Sequence, residues 1–137
     1  MKTYQPKGEV KREWHLMDAK DEVLGRISSE IAKLLMGKHK VTFSRHMDSG
    51  DNVVVVNADK FVVTGKKAVQ KVYRSHSGYP GGFKEKKFEK VMELHPERIL
   101  KNAISGMLPD NHLKAKRLAR LKIVMGAENP YSDKFNK

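Results

Sequence analysis

Cysteine is absent from this chain of 137 residues. Without thiols the protein can form no disulfide bond, hold no zinc ion through cysteine and use no thiolate nucleophile. Long apolar runs are absent as well, since the longest clear block is the run of valines at positions 53–56, far shorter than the roughly 20 residues of a transmembrane helix. These absences predict a soluble protein with no membrane segment.

Targeting features are missing from the beginning of the chain. The first residues lack the apolar stretch of a secretory signal, and Glu9 and Glu13 are atypical of the acid-poor peptides that direct proteins to organelles. We therefore expect the protein to stay in the cytoplasm.

The composition disfavours disorder. Hydrophobic residues make up 39% of the chain and charged residues 32%, which supplies enough apolar material for a core. The length is that of one domain. We expect a single domain over residues 1–137, with an N-terminal extension at 1–13 and a C-terminal tail at 127–137.

Positive charge is in large excess and unevenly placed. Lys and Arg number 28 against 16 Asp and Glu, a formal net charge of +12. Residues 60–90 carry a net +7 and residues 113–137 a net +5, whereas residues 1–59 are nearly neutral. One basic run by itself is often only a solvated surface. Two runs interleaved with Tyr, Phe, His and Gly indicate a polyanionic partner, with nucleic acid as the leading candidate.

Strand and helix patterns alternate along the chain. Apolar residues at helical spacing predict a helix over 25–36 that stops at Gly37, and a second helix that begins at Pro96 and ends before Pro109. Valine-rich residues 52–58 predict a strand buried on both faces, and residues 14–19 and 121–125 predict two further strands. This order predicts an α/β fold with helices on both faces of a small, largely parallel sheet.

The intervening segments give weaker patterns. Residues 66–73 suit a short helix, residues 87–94 have helical potential, and Asp110 or Asn111 can cap a further helix that ends near residue 119. Residues 75–82 contain three glycines and a proline, which predicts an irregular exposed loop.

Nucleotide-binding and catalytic motifs do not fit. A P-loop needs a glycine five residues before Gly65, where Lys60 stands, and Pro80 interrupts the glycine-rich stretch at 78–82. His46 and Asp48 are candidates for acid–base or metal chemistry, but Asp48 and Asp51 also suit a local role, either turn capping or pairing with neighbouring arginines. A small enzyme acting on nucleotides is therefore a minor alternative.

Cations next to planar or hydroxyl side chains are typical of RNA binding, since cations contact phosphates and rings stack on unpaired bases. No helix-turn-helix, homeodomain or zinc finger is present, so structured RNA is favoured over DNA. The candidate residues of this type are Lys38, His39, Lys40, Arg45, His46, Lys66, Lys67, Lys71, Tyr73, Arg74, His76, Lys114, Lys116, Arg117 and Arg120.

Many ordered stretches together resemble one known family over nearly the whole chain. The matching residues are Trp14 to Ala19, Leu24-Gly25-Arg26, Gly37-Lys38-His39-Lys40, His46-Met47-Asp48-Ser49-Gly50-Asp51, Val53 to Ala58, Thr64-Gly65-Lys66-Lys67, His76-Ser77-Gly78-Tyr79-Pro80-Gly81-Gly82, Pro96-Glu97-Arg98, Gly106-Met107-Leu108-Pro109 and Leu121-Lys122. In these stretches the chain resembles the bacterial form of the large-subunit ribosomal protein L13 family. It departs from the usual family pattern at Arg45, where a proline is common, and at Leu113-Lys114-Ala115, where Leu-Gly-Arg is common.

The resemblance implies a three-layer α/β/α fold around a small mixed, largely parallel central sheet. It also implies binding to large-subunit rRNA beside neighbouring ribosomal proteins, a role early in subunit assembly and a cytoplasmic location in the ribosome. Enzymatic activity, cofactors, metal ions and a small-molecule substrate are not expected. The resemblance adds to the candidate RNA contacts Thr64, Gly65, Ser77, Gly78, Tyr79, Gly81 and Gly82.

One alternative uses the same basic surface for a different task. A regulator that binds messenger RNA would need the same cations and stacking rings. The sequence does not separate this function from a structural role in the ribosome.

Overall fold

The computed structural model describes residues 10–135, so most of the predicted N-terminal extension and the last two residues of the tail lie outside the described residues. The described part alternates strands and helices over residues 14–76, and a further strand, three successive helices and a last strand follow. In chain order the elements are β1 (Trp14–Asp18), α1 (Leu24–Met36), β2 (Asn52–Val56), α2 (Lys67–Gln70), β3 (Val72–His76), β4 (Phe83–Lys87), α3 (Phe88–Leu94), α4 (Pro96–Met107), α5 (Leu113–Ala119), β5 (Leu121–Ile123) and a 3-10 helix (Ser132–Lys134).

The main sheet has three parallel strands in the order β1-β2-β5. Trp14 lies opposite Asn52, and Val53 lies opposite Leu121. The valine-rich β2 is therefore the central strand, as its unbroken apolar sequence predicts. The predicted α/β class with a small, largely parallel sheet is confirmed.

One face of the sheet carries the main core. Val53 and Val55 point to this face and belong to the same buried cluster as Ile31 and Leu35 of α1. Helix α1 packs on β2, α4 packs on α1, and α3 packs on α4. Residues that recur at helical period thus bury one stripe of each helix, which is the usual way amphipathic helices are stabilised.

The opposite face is covered by the C-terminal tail. Val54 is fully buried and Val56 is 5% exposed on this face, where Trp14 of β1 also points. The Trp14 ring lies 6.0 Å from the ring of Tyr131 and 6.2 Å from that of Phe135. These two aromatic residues flank the 3-10 helix, so the tail packs on its own sheet.

The segment at residues 72–87 differs from its predicted structure. Residues 72–76 and 83–87 form an antiparallel hairpin, β3 and β4. The sequence instead suggests a short helix over 66–73 and an irregular loop over 75–82, and it predicts no strand at 83–87. The hairpin has little burial, so its sequence has no strand-like hydrophobic alternation; the only pattern that marks it is the Gly/Pro turn. Near residue 62, a single parallel bridge joins Val62 to Val23.

No helix in residues 10–135 is long and apolar enough to span a bilayer.

Candidate nucleic-acid interface

The β3–β4 hairpin presents an almost fully exposed basic surface. Every residue of β4 is exposed, and β3 is exposed apart from Tyr73. Lys84 and Lys86 lie two residues apart on β4 and pair with Ser75 and Tyr73 of β3. Because alternate residues of a strand point the same way, these two ammonium groups share one face of the hairpin.

The turn at residues 77–82 holds its backbone tightly. The Gly82 N–H donates to the Tyr79 carbonyl at 2.9 Å, and the Ser77 N–H donates to the Gly82 carbonyl at 3.2 Å. A Cβ atom on Gly82 would lie 2.0 Å from Ser77 Oγ, so a side chain does not fit there without a shift. The Tyr79 side chain is 76% exposed at the tip, where its ring is available for stacking on a base.

Three predicted contact residues in the hairpin already have partners. His76 Nδ1 accepts a hydrogen bond from the Gly78 N–H at 2.9 Å. The Tyr73 ring stacks on Phe88 with 6.5 Å between centroids, and burial raises the pKa of its hydroxyl. Arg74 Nε donates to Glu85 Oε1 across the strands at 2.7 Å, in a pair that is largely open to solvent. An exposed pair of this kind exchanges readily, so Arg74 can still approach a phosphate.

Helix α2 extends the basic surface beside the hairpin. The Phe88 N–H donates to the Lys71 carbonyl at 2.9 Å, and α2 packs on α3, which fixes α2 near the base of the two strands. Thr64, Gly65 and the lysines of this region are exposed. We define the basic hairpin surface by its lysines, namely Lys66, Lys67, Lys71, Lys84, Lys86 and Lys87.

Two of the predicted RNA contacts, His39 and Lys40, bind the buried carboxylate of Asp51. The Asp51 side chain is fully buried, and His39 Nε2 and His15 Nε2 lie 2.8 and 3.0 Å from its Oδ2. Lys40 Nζ bonds to the other carboxylate oxygen, and the Glu13 N–H donates to that same oxygen at 3.0 Å. Burial opposes ionisation of Asp51, but these donors outweigh it and lower its pKa.

Asp48 gathers arginines from distant elements. Arg120 bonds to both Asp48 oxygens and also donates from Nη2 to the Leu35 carbonyl at 3.1 Å. Arg12 Nη1 lies 3.6 Å from Asp48 Oδ2. Burial opposes ionisation of Asp48, and the bond and charge of Arg120 reverse this effect, so the pKa is lowered. We call Asp48 and Asp51, with the side chains bound to them, the carboxylate hub.

Close packing at residue 50 keeps the hub compact. A Cβ atom on Gly50 would lie 1.8 Å from the Leu35 carbonyl oxygen, and Arg12 Nη1 donates to the Gly50 carbonyl at 2.8 Å. The hub thereby joins the end of α1, the N-terminal segment and α5. Asp48 pairs with arginines, as the sequence allows, but Arg12 and Arg120 are remote in sequence and not the neighbouring arginines that the sequence suggests.

The carboxylate hub determines which basic side chains of α5 and its C-cap residue Arg120 are exposed to a partner. Arg117 is 2% exposed and Arg120 is half-buried on Asp48. Lys114 pairs with Asp110, while Lys116 is exposed. An RNA contact stays a prediction for all four side chains, but only Lys116 is exposed without an ion-pair partner in the described part of the chain.

The end of α1 supplies a third group of predicted contacts. Lys38, Arg45 and His46 are exposed, and none makes an ion pair within residues 10–135. No hydrogen bond or ion pair in this described region joins His46 to Asp48, because Asp48 is occupied by arginines. The pairing of His46 with Asp48 that the sequence suggests for acid–base chemistry is therefore not formed within residues 10–135.

One cluster has the ligand types of a metal site. The ligand atoms of His15, His39 and Asp51 lie within 4.8 Å of one another. The ammonium group of Lys40 bonds to Asp51 at the same place, and its positive charge opposes a bound cation. We therefore assign no metal to the carboxylate hub.

Sequence reasoning missed the lysines of β4. Lys84, Lys86 and Lys87 belong to the counted basic block but were not among the candidate contacts. A glycine-rich turn between two short polar runs is a hairpin pattern, and it would have placed these lysines on strands beside Tyr79.

Comparison with known proteins settles the family. The family model described as Ribosomal protein L13 matches residues 12–130. This chain belongs to the ribosomal protein L13 family. The resemblance seen in the sequence is confirmed, and as a member of this family the chain is a structural constituent of the ribosome and not an enzyme.

Bacterial relatives of the L13 family agree with this assignment. "Large ribosomal subunit protein uL13" of Prochlorococcus marinus subsp. pastoris is 53% identical over 132 residues, covering 96% of this chain and 92% of the relative. The protein of the same name from Synechococcus elongatus is 51% identical, with 95% and 87% covered. That from Kocuria rhizophila is 50% identical, with 96% and 90% covered.

Proposed function

We propose that this chain binds large-subunit rRNA through the basic hairpin surface and supports assembly of the large subunit. Its partners are then that rRNA and neighbouring large-subunit proteins, in cytoplasmic ribosomes. Family membership and the names of its relatives support the ribosomal setting. The observation that carries the RNA surface is a hairpin whose β4 residues are all exposed, including Lys84, Lys86 and Lys87.

Phosphate neutralisation explains why so much charge is left without partners. Bound lysines release the counterions condensed on RNA, which makes the association favourable and sensitive to salt. Lysines two residues apart on a strand lie roughly 6–7 Å from each other, so Lys84 and Lys86 can contact separate phosphates. Tyr79 at the tip adds a stacking surface for an unpaired base.

The same geometry links RNA binding to assembly. A two-stranded hairpin with almost no buried side chains has little stability of its own. Contacts with RNA then stabilise the hairpin at the moment of binding, so the protein and the rRNA order each other. We propose that this mutual ordering is the contribution of the protein to subunit assembly.

The salt dependence of binding tests this proposal. A fluorescently labelled large-subunit rRNA fragment is titrated with the protein at several salt concentrations. We expect the slope of log K against log salt to become shallower by about one unit for each phosphate-contacting lysine removed, so by about two units in Lys84→Ala/Lys86→Ala.

Matched variants separate the hairpin from general charge loss. Lys101→Ala removes an exposed lysine of α4 and should leave the slope unchanged. Tyr79→Ala should weaken binding by about 1–3 kcal/mol without changing the slope, because it removes stacking and not charge. An unchanged slope in the double lysine variant contradicts the proposed surface.

Sedimentation tests the ribosomal setting against messenger-RNA regulation. The tagged protein is followed through a sucrose gradient of cell lysate. We expect it in large subunits and whole ribosomes, and less of the Lys84→Ala/Lys86→Ala variant there. Migration only with light fractions would contradict the structural role and favour the regulatory one.

A further inference from the structure

A cavity of about 530 Å³ opens beside the end of α1 and is separate from the hairpin. Its size lies within the range of small-molecule sites, which is about 300–1,000 Å³. It lies between the segment after α1, the segment that joins α4 to α5, and α5 itself. Its lining residues are Met36, Lys38, Phe43, Arg45, Met107, Leu108, Pro109, Asn111 and Arg117.

Arg117 is the unusual residue of this cavity. Its side chain is 2% exposed, yet its Nε and Nη1 atoms have no hydrogen-bond partner. Buried guanidinium groups are normally held by several acceptors, because an unpaired buried charge is costly. These two nitrogens of Arg117 are thus buried without a hydrogen-bond acceptor.

The charge around Arg117 is incompletely neutralised. Its Nε lies 3.9 Å from Asp48 Oδ1, while the same carboxylate is bonded by Arg120 and approached by Arg12. Burial lowers the pKa of Arg117, Asp48 opposes this effect, and the nearby Arg120 adds to it. One carboxylate is therefore shared by three guanidinium groups, which leaves an excess of positive charge at the cavity.

The rim and wall of the cavity have complementary chemistry. Lys38 and Arg45 are exposed at the rim, and no ion pair holds either of them within residues 10–135. The lining also has apolar side chains, among them half-buried Phe43 and exposed Met107. Cations beside an aromatic and apolar wall match a ligand with an anionic group and a flat ring.

We infer that this cavity binds one unpaired nucleotide of the rRNA, with its phosphate on Arg117, Lys38 and Arg45 and its base against Phe43 and Met107. The inference rests on the proposed function, since it takes the rRNA as the source of the nucleotide. A phosphate alone would leave the apolar wall and most of the volume unused. A flipped nucleotide uses both, as in other proteins that read unpaired bases.

Nucleotide titration of the free protein is the direct test. Adenosine 5′-monophosphate, uridine 5′-monophosphate, inorganic phosphate and adenosine are added separately, and the Arg117 Nε–H and the methyl groups of Met36 and Met107 are followed by NMR. Either monophosphate should shift all these signals. Inorganic phosphate should shift mainly the Arg117 signal, and adenosine should bind at least tenfold more weakly than its monophosphate.

Two variants distinguish ligand binding from a structural role of Arg117. Arg117→Met removes a buried charge without satisfied donors, so the thermal midpoint should stay the same or rise, while affinity for the monophosphates falls at least tenfold. Arg45→Ala lies at the exposed rim and should weaken binding about threefold without affecting folding. Arg26→Met, at an exposed arginine of α1, is the matched control and should change neither property.

The experiments distinguish failure of the cavity inference from failure of the proposed hairpin surface. The cavity inference is overturned if millimolar monophosphate leaves the Arg117 signal unmoved. It is also overturned if the Arg117→Met variant is destabilised and keeps its affinity for the monophosphates. Neither result affects the salt test of the hairpin. A capped peptide with a free C-terminal carboxylate that binds more tightly than the monophosphates would overturn it in favour of a protein neighbour. If the hairpin lysines prove dispensable for rRNA but the monophosphates bind at Arg117, the proposed hairpin surface fails and the cavity remains.

Discussion

At the scale of single residues, Asp51 is the buried carboxylate that binds several basic side chains. It is fully buried and bonds to Lys40, His39 and His15. Asp51→Asn leaves the ammonium of Lys40 beside an uncharged amide. We expect the free energy of unfolding to fall by about 2–3 kcal/mol, slightly less than for a wholly buried pair because Lys40 keeps 18% of its side chain exposed. Urea unfolding measures this change.

A surface carboxylate provides the comparison for Asp51. Asp110 pairs with Lys114, but its side chain is 90% exposed. Asp110→Asn should leave the urea midpoint unchanged, because exposed ion pairs contribute little. If Asp51→Asn and Asp110→Asn lowered the free energy of unfolding equally, burial would not determine how much these carboxylates contribute to stability.

Acid stability follows from the lowered pKa values of Asp48 and Asp51. Folding favours their ionised forms, so their contribution to stability is complete above the unfolded-state pKa, near 3.8, and is lost as the pH falls through the lower folded-state values. Thermal midpoints should be flat from neutral pH to about pH 5 and then fall, since protonation begins there in the unfolded chain. Asp48→Asn should lower the midpoint at pH 7 and flatten the acid limb.

Asp59→Asn is the matched change for the acid series. Asp59 is exposed and makes no ion pair within residues 10–135. Its substitution should reproduce the parent curve. If, below about pH 5, the thermal midpoint of Asp48→Asn fell as steeply as that of the parent protein, Asp48 would not be the source of the pH dependence of stability.

The direction of a basic side chain is the part of the site that sequence does not reveal. Arg120 and Lys40 have the composition of RNA contacts, and both were predicted as such. Arg120 bonds to Asp48, which is 72 residues away in sequence, and to the Leu35 carbonyl, 85 residues away. Only the tertiary fold brings these groups together, so local charge and spacing predict the donors but not their acceptors.

At the scale of elements, the turn of the hairpin depends on the missing side chain of Gly82. A methyl group at this position would lie 2.0 Å from Ser77 Oγ and 2.9 Å from the Tyr79 carbonyl oxygen. Gly82→Ala should therefore rearrange the tip and weaken rRNA binding about fivefold or more, the lower end of one lost base stack of about 1–3 kcal/mol. Binding titration measures the loss, and amide NMR shows whether the changes stay within residues 72–87.

Gly106→Ala is the control for adding a methyl group. No atom lies within 4 Å of a Cβ built on Gly106, near the end of α4. This variant should bind RNA normally and be slightly more stable, because alanine favours a helix over glycine. Normal RNA binding by Gly82→Ala would contradict the role assigned to the turn.

Predictability differs sharply between the helices and the hairpin. The spacing of Ile27, Ile31 and Leu35 predicts α1 to within one residue of its observed start, because the same three side chains are buried in the core. The hairpin buries almost nothing, so no apolar period marks it. Its strands are held by backbone pairing across a turn, and that pairing involves the whole segment at 72–87.

At the scale of the whole molecule, the two ends of the described chain meet at Trp14. Its ring contacts Tyr131 and Phe135 of the tail. The double variant Tyr131→Ala/Phe135→Ala should shift the emission of this single tryptophan to the red and lower stability by about 1–3 kcal/mol, since each aromatic pair contributes about 0.5–1.5 kcal/mol beyond area burial. Fluorescence during urea unfolding measures both effects.

The exposed Tyr79 serves as the reference for this fluorescence experiment. Tyr79→Ala removes a tyrosine at the hairpin tip, where the side chain is 76% exposed. Neither the emission maximum nor the urea midpoint should change. An unshifted spectrum in the tail variant would mean that the tail does not cover Trp14 in solution.

The α/β architecture was predictable at this scale because strand and helix patterns alternate over the first half of the chain. The tail was not, since residues 127–137 show no periodicity; only Tyr131 and Phe135, placed against Trp14, reveal where it packs. The single-domain organisation over residues 1–137 stays a prediction.

The order of strands in the sheet has a consequence for how the protein folds during its own synthesis. The central strand β2 pairs with β1 on one side and with β5, at Leu121–Ile123, on the other. A growing chain that has not yet exposed Leu121 carries one unpaired edge of β2 and lacks Arg120 for Asp48. Unpaired strand edges favour association with other chains. Completion of the sheet therefore comes late in synthesis, and the interval before it is when the new chain is most prone to aggregate.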